Sequence, residues 1–174
     1  GTMKFTLSIL PAAIAAACIA FIAPGCTSTS ATGHHGAHER LGKVHFVVEC
    51  NVEAQREFDV AMAYYHSFAW QHISEPLQRV LKADPSCGMA HWARTLASLD
   101  NPFTWPGSIS PATLGKGAET LQTARSTGLK SQREQDYVDA LATFFRDYEK
   151  VDHRTRAKAL ETAMEQVMKR YPQD

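Results

Sequence analysis

From Val52 onward the apolar residues recur at steps of three and four, the spacing that puts them on one face of a helix. Phe58, Ala61, Met62, Tyr65 and Phe68 form the first such stripe. Ile73, Leu77, Val80 and Leu81 mark a second helix over Gln71 to Ala83, and Asp84-Pro85 ends it, because proline disfavours the helical conformation of the residue before it. A third runs through Met89, Trp92, Leu96 and Leu99, with Ser86 as its expected N-cap. Three more helical stretches follow: Thr113 to Thr127, Ser131 to about Asp147, and His153 to Tyr171. No alternating segment of useful length follows Val48. The expected fold class is all-α, with about six helices in antiparallel pairs.

The punctuation between helices is equally legible. Asn101 to Pro111 reads N-P-F-T-W-P-G-S-I-S-P, a composition that only a loop tolerates. A solvated loop has no use for Phe103 and Trp105, so the loop is expected to pack back on the helices. Gly128 stops the fourth helix. Ser131 with Glu134 three residues later forms an expected capping box, ahead of the apolar face Tyr137, Val138, Leu141, Phe144 and Phe145. The last helix carries Ala157, Leu160, Met164, Val167 and Met168 and is stopped by Pro172.

With 174 residues, of which 44% are hydrophobic and 21% charged, the chain suffices for one domain with a proper core. Its 18 cationic and 18 anionic side chains cancel, which leaves no chain-wide attraction for nucleic acid or an anionic bilayer. The first residues read as an address. Gly1 and Thr2 precede Met3 and look foreign to the natural start. Lys4 then leads an apolar run from Phe5 to Ala23 that holds Pro11 and has no basic cluster behind it. Residues 1–25 are expected to be a bacterial export signal, with a retained membrane anchor as the rival reading. Ala23-Pro24-Gly25-Cys26 resembles a lipobox without its usual leucine, so Cys26 is a candidate lipidation site and any membrane association runs through that anchor; cleavage to a free periplasmic protein is the alternative. Residues 26–40 form a polar, His-containing tether, and 41–174 the folded domain. Cys18 leaves with the signal, so Cys50 and Cys87 remain to pair in an oxidising compartment or to stay as buried thiols.

Helix pairs of this length suggest a repeat. Ala61 and Thr95 stand 34 residues apart at matching places on the first and third helices, which is the tetratricopeptide period. The first pair fits that family through Val60, Ala61, Tyr64, Ile73, Leu77, Val80 and Pro85. The second fits poorly, since its loop is long and Glu119 stands 34 residues after Pro85. The stretches L-G-K-V-H-F-V-V-E-C (41–50), F-D-V-A-M-A-Y-Y-H-S-F (58–68), D-P-S-C-G-M-A-H-W-A (84–93) and N-P-F-T-W-P (101–106) resemble a family of exported bacterial tetratricopeptide-repeat proteins. In that family a short strand-like entry ends in Cys ahead of the first helix. R-E-Q-D-Y-V-D-A-L (133–141) and A-M-E-Q-V-M-K-R-Y-P-Q-D (163–174) fit as well. Members run beyond this length, so the chain looks like an N-terminal fragment whose last helix leaves an apolar face uncapped.

The resemblance implies a scaffold that binds a protein or peptide along a concave groove lined by the first helix of each pair. Carried onto this sequence, the groove positions are Gln55, Phe58, Met62, Tyr65 and His66 on the first helix and Met89, Trp92, Leu96 and Leu99 on the third. The competing reading is that several of these pack against a neighbouring helix or the 101–111 loop. An alternative function is periplasmic copper or zinc binding through His34, His35 and His38 with His45, imidazoles suited to either metal. His66 and His91 form a weaker candidate pair. No H-E-x-x-H, G-x-S-x-G or P-loop motif is present, and Leu114-Gly115-Lys116-Gly117 matches a phosphate loop only faintly. Neither an enzyme nor a cofactor is expected.

Overall fold

A computed structural model describes residues 41–174. The expected signal (1–25), the tether (26–40), Cys26, His34, His35 and His38 lie outside the described residues. The described part is all-helical, with α1 (Val52–His66), α2 (Ser74–Ala83), α3 (Met89–Ser98), α4 (Pro111–Thr127), α5 (Gln132–Phe145) and α6 (His153–Arg170). Among the described residues no helix is long and apolar enough to cross a membrane.

Consecutive helices pair as hairpins, α1 on α2, α3 on α4 and α5 on α6, and the leading helices α1, α3 and α5 touch in succession. The 34-residue offset is visible in this packing. Phe58 and Trp92, and Ala61 and Thr95, are buried at matching places on α1 and α3, and Ala54 is matched by buried Gly88 at the N-cap of α3. At Gly88 the reason for the small residue is direct. Its N–H donates to Gly128 O at 3.1 Å, and a Cβ there would fall 2.3 Å from Gly128 O and 2.6 Å from Ala124 O. The start of α3 is thus pressed against the end of α4, where Gly128 adopts φ +139°, a conformation that favours glycine. Gly117 has a similar role inside α4: a Cβ would meet Phe145 Cε1 at 2.1 Å. The faint phosphate-loop reading of residues 114–117 is therefore replaced by a helix interior packed on α5.

Several boundaries differ from expectation for identifiable reasons. Helix α1 ends at His66 in a Schellman pattern, with Phe68 N–H on Tyr65 O and Ala69 N–H on Tyr64 O. Phe68 takes the left-handed position at φ 58° and is exposed instead of continuing the apolar stripe. Ser86 does not cap α3; its hydroxyl donates to Asp84 Oδ1 at 2.6 Å. Helix α4 begins two residues early because Ser110 accepts from Thr113 N–H and Pro111 suits the first turn. Ser131 does cap α5, but Glu134 does not reach back to it as a capping box would; its carboxylate accepts from Lys130 N–H instead.

The loop between α3 and α4 packs back through Trp105 and Ile109. Trp105 follows a short 3-10 turn and precedes Pro106 through a cis peptide bond. Its Nε1–H donates to Leu99 O at 2.7 Å, and its ring lies 5.2 Å from Phe144 and 5.7 Å from His153. Phe103, expected to pack with it, is 90% exposed. On α6, Arg156 is buried, donating to Phe144 O at 2.9 Å with its guanidinium 4.8 Å over the Phe144 ring.

Gly88→Ala is expected to destabilise the protein by about 2–3 kcal/mol, because backbone rather than a flexible side chain stands in the way. Urea unfolding of the two proteins checks this; an unchanged midpoint would show that the α3–α4 seam yields freely.

Candidate functional site: a strap held across the leading helices

The residues ahead of α1 form an extended strap that crosses the leading helices. Inward and outward side chains alternate along it. Val44, Phe46 and Val48 turn toward the core, while His45, Val47 and Glu49 are exposed. An extended segment lying on helices has no neighbouring strand, so its backbone must find side-chain partners. Gln55 of α1 supplies two, its Nε2–H donating to Phe46 O at 2.8 Å and its Oε1 accepting from Val48 N–H at 2.8 Å. Asp59, one turn further, accepts from Phe46 N–H at 3.2 Å and pairs with His45 Nδ1 at 2.7 Å. From α5, Arg133 donates to Val47 O at 2.7 Å and Glu134 accepts from Glu49 N–H at 2.8 Å. The strap therefore lies in a cleft with α1 and α5 as its walls.

The floor of that cleft is aromatic. The Phe46 ring stacks on Trp92 of α3, centroids 5.5 Å apart and planes 19° apart. Phe58 and Tyr137 stand 5.9 and 5.1 Å from it, and the Arg133 guanidinium covers the ring at 4.5 Å. Arg133 and the Tyr137 hydroxyl both donate to Asp174 Oδ2, at 2.7 and 3.0 Å. Burial, with that carboxylate second, pushes the Tyr137 phenol up to about 12. The buried indole N–H of Trp92 has no hydrogen-bond partner among the described residues.

At its downstream end the strap is knotted to the α2–α3 turn. Cys50 and Cys87 form a disulfide with Cα atoms 5.4 Å apart, which settles the cysteine question in favour of pairing. Closing that loop stabilises by about 3–4 kcal/mol in the chain-entropy model. Beside it, buried Asp84 accepts from Asn51 N–H at 3.0 Å, from Ser86 N–H at 3.0 Å and from the Ser86 hydroxyl, with Lys130 Nζ at 3.4 Å. The Ser86 hydroxyl, aided by these backbone donors, holds the Asp84 carboxyl at about 2.

This geometry corrects the expected groove. Phe58, Met62, Met89 and Trp92 are buried in the core, and so is Leu99; none lines an open surface. The leading helices press on one another, and the strap covers what they would leave exposed. Gln55 faces the cleft but is engaged by the strap. Tyr65 and Leu96 are half-buried against the core, and burial raises the Tyr65 phenol. His66 is exposed at the end of α1. Of the cleft residues that were not foreseen in this role, Phe46 was signalled by the period-two pattern Val44, Phe46, Val48, while nothing local marked Asp59, Arg133, Glu134 and Tyr137 as its partners.

Of the four histidines of the metal alternative, only His45 falls among the described residues. His45 is paired with Asp59, and among the described residues no group of three His, Cys, Asp or Glu side chains is placed to hold a metal ion. Burial, then the neighbouring Arg94, pushes the His91 imidazole below its usual range. No family model matches the sequence, and no curated protein or solved structure shows significant similarity to it.

Because the folded-state value of Asp84 lies below its unfolded one, its contribution to stability is present above about pH 4 and is lost as the pH falls toward 2. Asp84→Asn is expected to lower stability at pH 7 by about 2 kcal/mol and to flatten that acid limb. Denaturant midpoints measured between pH 2 and 7 test it; parallel curves for the two proteins would remove Asp84 from the account.

Proposed function

We propose that this chain is an exported, lipid-anchored scaffold of tetratricopeptide type that binds an extended segment of a protein or peptide partner. Its mechanism is recognition by shape and hydrogen bonding, not chemistry. The observation that carries the reading is the cleft across α1, α3 and α5, where side chains read out the backbone of an extended segment and an aromatic box takes one ring. Such a device recognises main chain first and side-chain pattern second, the way peptide-binding grooves divide affinity from specificity. The burial of equivalent residues at a 34-residue offset supports the tetratricopeptide part of the proposal. Export is supported by the apolar run behind Lys4 and by the Cys50–Cys87 bond, since such bonds persist in oxidising compartments.

The test uses a fluorescent peptide with the sequence of residues 43–49, Lys-Val-His-Phe-Val-Val-Glu, and the full chain carrying Phe46→Ser and Val48→Ser. Saturable binding is expected. Adding Gln55→Ala should weaken it about tenfold, since two hydrogen bonds to the peptide backbone are lost. Replacing His34, His35 and His38 by Ala should leave it unchanged. If the peptide shows no saturable binding, the scaffold reading falls.

A further inference from the structure

The occupant of the cleft is the chain itself, and its attachment is uneven. The downstream end is fixed twice, by the Cys50–Cys87 bond and by Asn51 N–H on Asp84. Upstream, residues 41–45 border an open cavity of about 610 Å³ that Asp59, Val60, Ala63 and Arg79 line on the far side. Between these ends every described backbone bond of residues 46–49 to α1 or α5 goes to a side chain that would serve another extended peptide equally well. Val47 is half exposed, and His45 keeps most of its side chain in solvent. Lifting the segment from Val44 to Glu49 about Cys50 would unseat only Phe46 and Val48 as large inward side chains beyond the half-buried Val44, and the disulfide would keep the strap beside the cleft.

We propose that the strap is a resident ligand mimic that keeps the cleft closed, and that the cleft's ligand in trans is an extended segment with the strap's own aliphatic-x-aromatic-x-aliphatic alternation. The inference rests on the peptide-binding reading above and adds its regulation and its sequence rule. Direction and register are set by Gln55, which must reach the carbonyl of the aromatic residue and the N–H of the residue two further on. The aromatic position is set by the Trp92 stack and the Arg133 cover. A tethered competitor acts at an effective concentration in the millimolar range. The free ligand then meets only the fraction of molecules whose strap has lifted, and its apparent affinity falls by that fraction.

The deciding experiment compares binding of the 43–49 peptide to the unaltered full chain and to the Phe46→Ser, Val48→Ser chain. The altered chain is expected to bind at least about tenfold more tightly. Equal affinity would overturn the gating while leaving the peptide-binding reading in place, and absence of binding to both would overturn the two together. Should the substituted chain lose its helical circular dichroism, hydrogen exchange on the unaltered chain decides. Millimolar peptide is expected to strip protection from the Phe46, Val48 and Glu49 amides while α3 stays protected. Bound peptide with the strap still protected would overturn the proposal, as would no binding at all.

Discussion

An extended chain laid on a helical surface creates a problem that helices cannot solve with their own backbone. Its N–H and C=O groups, half of them facing inward, leave water without a strand to receive them. The fold resolves this with polar side chains placed on helix faces that otherwise pack a core. Gln55 and Asp59 are one turn apart on α1, and Gln55 Nε2 also donates to Asp59 Oδ1 at 2.8 Å, so each orients the other. Glu134 is buried yet fully employed, with one oxygen on the Glu49 amide and the other on that of Lys130. The helix entry of α5 and the seating of the strap thus share one carboxylate. Losing it would leave two part-buried backbone donors unmet at once, a heavier cost than a single missing hydrogen bond.

The α2–α3 turn performs a comparable service by covalent and ionic means. Asp84, Ser86 and Cys87 stand within four residues, and between them they hold Asn51, Cys50 and Lys130. Three segments distant in sequence meet there: the end of the strap, the first inter-hairpin turn and the approach to α5. Gly88 follows directly and brings α3 against the end of α4. A chain with a bulkier residue at Gly88 or a neutral one at Asp84 would still have the same helices, but their mutual placement would be less determined.

The helices themselves were legible because amphipathic spacing is a local property, and Phe58, Leu77, Leu121 and Leu141 sit where the three-four rhythm puts them. The disulfide was one of two readings open for Cys50 and Cys87, once Cys18 is assigned to the expected signal and Cys26 to lipidation, and the structure shows the pair. What failed was the inference from helix face to open surface. Apolar periodicity identifies a buried side of α3 but not what covers it, and for Trp92 the cover comes from Phe46, 46 residues earlier. Two helix caps failed for their own reasons: the Ser86 hydroxyl turns back to Asp84 two residues earlier, and Glu134 is drawn to the Lys130 amide and to the distant Glu49 amide. Phe103 shows the opposite limit, since an aromatic side chain in a loop carried no information about its own burial.

Arrays of helical hairpins are ordinarily linear: each unit touches only its neighbours, and such arrays fray from their ends. The strap alters that connectivity. Val47 and Arg133 are 86 residues apart in sequence and bonded to each other, so the first and third hairpins are joined without passing through the second. The loop bearing Trp105 adds a second shortcut, from the end of α3 to Phe144 and His153. With the strap bridging them, the order of the first hairpin and that of the third are coupled directly.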